Sequence, residues 1–148
     1  MIEYKAEVTV NVPADRLFQA LSRAENYDKF TDMSGTHMVS GSMLNEVGAR
    51  LESVVGDGPL KQKMVFEVTQ VEPDRRIVFK TVSKGSMQWD SEFTLEPQGA
   101  SATRLTNTGQ IRLGGAARLM EGMVSGEIKK GEQKELDKLK ALLESNQI

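Results

Sequence analysis

The sequence predicts an α+β domain in which a curved antiparallel sheet of about seven strands wraps around one long C-terminal helix. Three observations predict it. Only the stretch after Gly114-Gly115 has the spacing of a long helix. The chain from Thr36 to Leu113 reads as apolar and polar residues alternating between tight turns, and short turns impose antiparallel pairing. Two short helical segments stand between the first strand and all the others.

Taken in order, Tyr4, Ala6, Val8, Val10 and Val12 face one way over residues 3–12, against Glu3, Lys5, Glu7, Thr9 and Asn11. That is a strand with one dry and one wet face. Pro13 suits a first helical position and Asp15 the positive end of the helix dipole, with Leu17, Phe18 and Leu21 as the apolar face. Ser22 to Asn26 ends this helix, and a second short segment carries Tyr27 and Phe30. In Thr36 to Met43 either parity would serve. Ala49, Leu51, Ser53 and Val55 then alternate, Gly56-Asp57-Gly58-Pro59 turns the chain, and Met64, Phe66 and Val68 return it. Glu72-Pro73-Asp74, Lys84-Gly85-Ser86 and Pro97-Gln98-Gly99 are the later turns. They bound Ile77 to Val82, the row Met87, Trp89, Ser91, Phe93 and Leu95, and the row Thr103, Leu105, Asn107, Gly109, Ile111 and Leu113.

The final segment spaces Ala117, Met120, Val124 and Ile128, then Leu136, Leu139, Leu142 and Leu143, along one helical face. A helix of about 30 residues would be about 45 Å long. Where the stripe should continue in the middle stand Gly131, Glu132 and Glu135. Either the helix bends around Gly131 with both glutamates in water, or it touches the sheet at both ends and leaves room between for a ligand.

Composition narrows the function. The chain has 148 residues, enough for one domain spanning 1–148 with a real core. A net charge of -2, with scattered basic residues, gives no footprint for nucleic acid or an anionic membrane. The N-terminus lacks the apolar run of a signal peptide, and no stretch reads as a membrane span. With no cysteine and a single histidine, His37, neither a metal site nor a cofactor is expected, and a reducing cytoplasm is the simplest setting.

This order of elements resembles the helix-grip fold of the START-like (SRPBCC) superfamily, in particular its polyketide cyclase/dehydrase branch. The resemblance covers essentially the whole chain. It rests on Val10-Asn11-Val12-Pro13-Ala14-Asp15-Arg16-Leu17-Phe18, on Val47-Gly48-Ala49-Arg50, on Val71-Glu72-Pro73-Asp74-Arg75-Arg76-Ile77-Val78-Phe79 and on Leu139-Lys140-Ala141-Leu142-Leu143-Glu144. These are structural signatures. Phe30 stands where many relatives have tryptophan, and the glycine-rich loop of the plant allergen branch is absent, so roles from that branch are not carried over. The resemblance implies a cavity between sheet and long helix for a small hydrophobic or amphipathic molecule such as a lipid, quinone or polyketide. A shared fold does not choose among those chemistries.

Strand parity turns Ser53, Thr81, Ser91 and Asn107 toward the apolar side, where each needs a hydrogen-bond partner or a ligand. Met64, Phe66, Trp89 and Phe93 would supply apolar wall, and Met120, Val124, Ile128 and Gly131 the helix side. Methionines 38, 43, 64, 87, 120 and 123 would make the lining adaptable. For proton transfer the candidates are His37, by its titration range, and Glu135, or with less support Glu132, if burial raises its pKa. Two functions follow as expectations: a carrier or binding protein for a hydrophobic molecule, working alone or assisting a partner enzyme, and a cyclase/dehydrase-type enzyme using the same cavity.

Overall fold

The alternation of the first residues becomes β1 (Ile2–Val10) in a computed structural model that describes residues 1–56 and 58–148, with Ile2, Tyr4, Ala6 and Val10 buried. Pro13, at φ -62°, caps the start of α1 (Ala14–Leu21) from one position before the helix. Leu17, Phe18, Ala20 and Leu21 form the buried face of α1. A 3-10 turn at Ala24–Asn26 leads into α2 (Tyr27–Phe30), whose Tyr27 and Phe30 are buried.

The remaining strands are β2 (Ser34–Ser40), β3 (Arg50–Val55), β4 (Gln62–Glu72), β5 (Arg76–Thr81), β6 (Met87–Pro97) and β7 (Thr103–Leu113). They form one antiparallel sheet in the order β1-β7-β6-β5-β4-β3-β2. The first two strands are therefore the two edges, and α1 and α2 carry the chain across from one edge to the other. Asp74, at φ 62°, closes the β4–β5 turn. The turn expected at 56–59 includes Asp57, which lies outside the described residues; a 3-10 turn follows at Gly58–Leu60.

The C-terminal segment forms the long helix expected, with its first turns wound as 3-10. A 3-10 turn, Gly115–Met120, precedes α3 (Glu121–Glu144), which has 24 residues. Leu136, Leu139 and Leu143 are fully seated in the core, whereas Val124, Ile128 and Leu142 are half-buried, and Leu119 and Met123 are 87% and 78% exposed. The helix is thus held most firmly by its C-terminal block, and its N-terminal half packs more loosely, with Ala117, Val124 and Ile128 half-buried against the core. A Cβ at Gly122, Gly126 or Gly131 would meet nothing within 4 Å, so these glycines serve no close approach.

Polar contacts fasten the C-terminal half of α3 along the free edge of β1. Gln133 Nε2 donates to Glu7 O at 3.0 Å, Lys140 Nζ donates to Thr9 O at 2.7 Å, and Asn11 N donates to Glu144 Oε2 at 2.8 Å. At the helix end, Arg16 Nη2 donates to Leu143 O at 3.0 Å, a carbonyl that also accepts from Asn146 N at 3.2 Å, and to Asn146 Oδ1 at 2.9 Å.

Candidate functional site

A groove lies between α3 and the inner face of the sheet. Its inner chamber, about 60 Å³, is lined by Tyr4, Phe66, Phe79, Trp89, Ser91, Phe93 and Asn107 from the strands, by Tyr27 and Phe30 from α2, and by Glu132, Glu135 and Leu136 from α3. An outer chamber of about 240 Å³ adds Val55, Met87, Ile111, Val124, Ile128 and Gly131. Asp32, Trp89, Glu132 and Glu135 line both, so the two chambers meet at these residues.

The aromatic wall is interlocked. Trp89 meets Tyr4 and Phe66 edge-on at ring-centre distances of 6.2 and 6.1 Å, and Phe93 meets Tyr27 and Phe79 at 6.4 and 6.3 Å. Tyr4 and Ser91 both pair in register with Gly109, which lies between them on β7. A Cβ on Gly109 would lie 2.3 Å from the Tyr4 ring, so the bare glycine is what lets the phenol lie across β7. There it accepts a hydrogen bond from Trp89 Nε1 at 2.9 Å and reaches Ser91. Burial first, and then the charge of Glu132, raises the Tyr4 pKa, keeping the phenol protonated.

Glu132 and Glu135 are not turned to water. They are three residues apart on α3 and so share one face. Glu132 is only 7% exposed. Burial, followed by the charge of Glu135, pushes its carboxyl well above the usual carboxylate range. Glu135 is also pushed up, by burial and then by the Asp32 charge, while hydrogen bonds from the Asp32 amide and from Glu132 act in the opposite direction. The Asp32 N–H donates to Glu135 Oε1 at 3.2 Å. Burial and mutual proximity thus raise both carboxyls, so the pair favours sharing a proton inside an apolar groove, an arrangement suited to proton transfer. Among the described residues no three acidic or histidine side chains are placed to share a metal ion.

Of the residues selected by strand parity, Phe66, Trp89, Ser91, Phe93 and Asn107 line the inner chamber, and Val124, Ile128 and Gly131 the outer one. Asn107 Nδ2 donates to Ser91 Oγ and to Glu92 O, both at 3.0 Å. Others lie elsewhere. Ser53 is occupied beneath β2, its hydroxyl 2.8 Å from Thr36 Oγ1 and 3.2 Å from Ser34 O. Thr81 Oγ1 donates to Trp89 O and accepts from Trp89 N, both at 2.9 Å, extending the strand ladder. Met64 is packed in the core, and Met120 lines neither chamber. His37 faces outward on β2, its Nδ1 2.8 Å from Gly35 O and its Nε2 3.5 Å from Glu52, and it too lines neither chamber.

Sequence reasoning did not select Tyr4, Tyr27, Phe30 or Asp32 for the groove. Parity placed Tyr4 inward, and Gly109 facing inward on another strand was the available signal that something large lies over it. Asp32 carried no pattern of its own.

No curated protein sequence gives a significant match to the chain. Solved structures do. Zhui aromatase/cyclase from Streptomyces sp. R1128 is similar with a TM-score of 0.78 at 14% identity, over 96% of this chain and 93% of that one. TTHA0849 from Thermus thermophilus is similar with a TM-score of 0.76 at 16% identity, over 97% and 98%. One half of the di-domain ARO/CYC BexL, from the BE-7585A biosynthetic pathway, is similar with a TM-score of 0.73 at 17% identity, over 97% of this chain and 47% of that one. At these identities the likeness establishes the helix-grip fold. The sequence profile described as "Polyketide cyclase / dehydrase and lipid transport" matches residues 1–144. The chain belongs to that polyketide cyclase/dehydrase and lipid transport family.

Proposed function

We propose that the protein binds a small hydrophobic or amphipathic molecule in the groove between α3 and the sheet, acting alone or beside a partner enzyme. One observation carries this reading: an aromatic-walled hollow beneath α3, with its polar groups gathered at Asp32, Glu132 and Glu135. The inner chamber alone would hold little more than a few waters, but the two chambers together reach the roughly 300 Å³ at the low end of ligand sites. A guest would lie across both, with its apolar body against Trp89 and Phe66. The test is Nile red fluorescence, with native mass spectrometry of the freshly purified protein. Bound dye and an extractable apolar compound are expected. Gly131→Phe, whose Cβ would meet no atom within 4 Å, should place its ring in the outer chamber and lower dye affinity. A parent protein that takes up neither dye nor lipid refutes the reading.

A second reading, a cyclase/dehydrase-type enzyme, is favoured by the proton-sharing Glu132–Glu135 pair beside a protonated Tyr4. Here the groove would fold a reactive polyketide-like substrate and the pair would move its protons. Replacing both glutamates by glutamine should then abolish turnover while Nile red still binds. Unchanged turnover removes the pair from the chemistry.

A further inference from the structure

Asn107, only 3% exposed, brings an amide from β7 into the inner chamber. Its Nδ2 donates to Ser91 Oγ and to Glu92 O, each at 3.0 Å. A backbone carbonyl only accepts, so the contact with Glu92 fixes which end of the amide is nitrogen. The other end, Oδ1, receives no hydrogen bond from the described residues. Among those residues no side-chain oxygen or nitrogen is both sealed and unpaired, so Oδ1 opens onto the chamber that Asn107 lines.

A spare proton stands beside this acceptor. The Tyr4 oxygen accepts from Trp89 Nε1 at 2.9 Å and reaches the Ser91 hydroxyl, which itself accepts from Asn107. Tyr4 and Ser91 carry one hydroxyl proton each, and only one of the two can lie between their oxygens. The other is left for the chamber that both residues line. The remaining hydroxyls of the lining are used, Tyr27 donating to Leu21 O and Thr31 to Tyr27 O. An otherwise aromatic wall thus presents one unused acceptor and one unused donor, linked through Ser91. A ketone, ether or ester oxygen accepts only, and would cover Oδ1 without satisfying it. A carboxylate has no proton to give either. A hydroxyl group both donates and accepts. Resting on the reading of the groove as a ligand site, we infer that its guest is an alcohol or phenol whose O–H donates to Asn107 Oδ1 and whose oxygen accepts from the Tyr4–Ser91 pair. Its apolar body extends past Trp89, which lines both chambers, into the outer one.

A matched series tests this by calorimetry: 4-propylphenol, 1-fluoro-4-propylbenzene of nearly the same shape, and 4-propylanisole, whose oxygen accepts but has no proton, with Nile red fluorescence as a control for the groove. 4-Propylphenol should bind at least about tenfold more tightly than either analogue, because only it satisfies both groups. Asn107→Leu, similar in volume, should bring the phenol to within about threefold of the fluoro compound while Nile red still binds. Thermal unfolding shows whether that variant is folded, and the series on the parent protein decides the question even where it is not. If the fluoro compound or the anisole binds the parent as tightly as the phenol, if the preference survives in folded Asn107→Leu, or if Nile red binds and none of the three does, the hydroxyl inference is overturned while the groove remains a ligand site. If none of the four binds, the ligand-site reading falls and the inference with it.

Discussion

Replacing Glu132 by glutamine should make the protein more stable, by an amount that grows with pH. The carboxyl has an ordinary value of 4.5 and is pushed up to about 9 in the fold, burial being the main cause. A carboxyl raised in this way contributes fully to stability below its unfolded value, and the contribution is lost as pH rises through the folded value. At pH 7 the unfolded chain would release this proton while the folded chain keeps it, which weighs against folding by about 1.4 kcal/mol for each unit above 4.5, or roughly 3 kcal/mol. Glutamine has nearly the same shape, carries no titratable proton, and can donate an amide N–H to Glu135 as the protonated acid does. Chemical denaturation of parent and Glu132→Gln across about pH 4.5 to 8 should show nearly equal stability at the acid end and a gap widening by about 1.4 kcal/mol per unit. A gap that stays constant over this range, or a variant less stable than the parent at pH 8, would refute the argument that the buried carboxyl keeps its proton.

Other outcomes are equally specific. Gly109→Ala should cost about 1–3 kcal/mol, because its methyl would overlap the Tyr4 ring. Trp89, the single tryptophan and the hydrogen-bond donor to Tyr4, should report the displaced phenol as a shift in emission. Gly126→Ala should stabilise the chain by about 0.5–1 kcal/mol in thermal unfolding, since helix propensity improves and the methyl meets no atom within 4 Å. His37→Gln should leave Nile red binding unaltered; a loss of affinity would place this outward-facing imidazole nearer the groove than its contacts with Gly35 and Glu52 allow.

The architecture was legible because strict alternation, as in Met87 to Leu95 and Thr103 to Leu113, identifies one dry face whatever the tertiary setting. Parity also brought Ser91 and Asn107 to the chamber. It failed as a guide for Ser53 and Thr81 because direction is only half of a site: Thr36 and Ser34 on β2 occupy the one hydroxyl, and the Trp89 backbone the other. Such partners arrive from distant parts of the chain, and no local pattern announces them. In the C-terminal segment the spacing of Ala117 to Ile128 matched that of Leu136 to Leu143, yet only Leu136, Leu139 and Leu143 are fully buried. Periodicity marks which face of a helix would be buried, and whether a partner stands opposite is decided by the sheet. Glu132 and Glu135 were visible as a break in the stripe, while their proton sharing depends on Asp32, about a hundred residues away in sequence, through its amide contact with Glu135.

The way α3 is fastened along β1 also bears on solubility at high concentration. An open sheet has two rims, and a rim with a straight row of unsatisfied amides and carbonyls invites strand-by-strand polymerisation. Here Gln133, Lys140 and Glu144 already occupy backbone groups of Glu7, Thr9 and Asn11 on one rim. The opposite rim, β2, is broken by register shifts near Gly35 and Val39. Fibril growth would first have to peel the helix away or straighten those irregularities, so the fold carries its own guard against stacking into filaments.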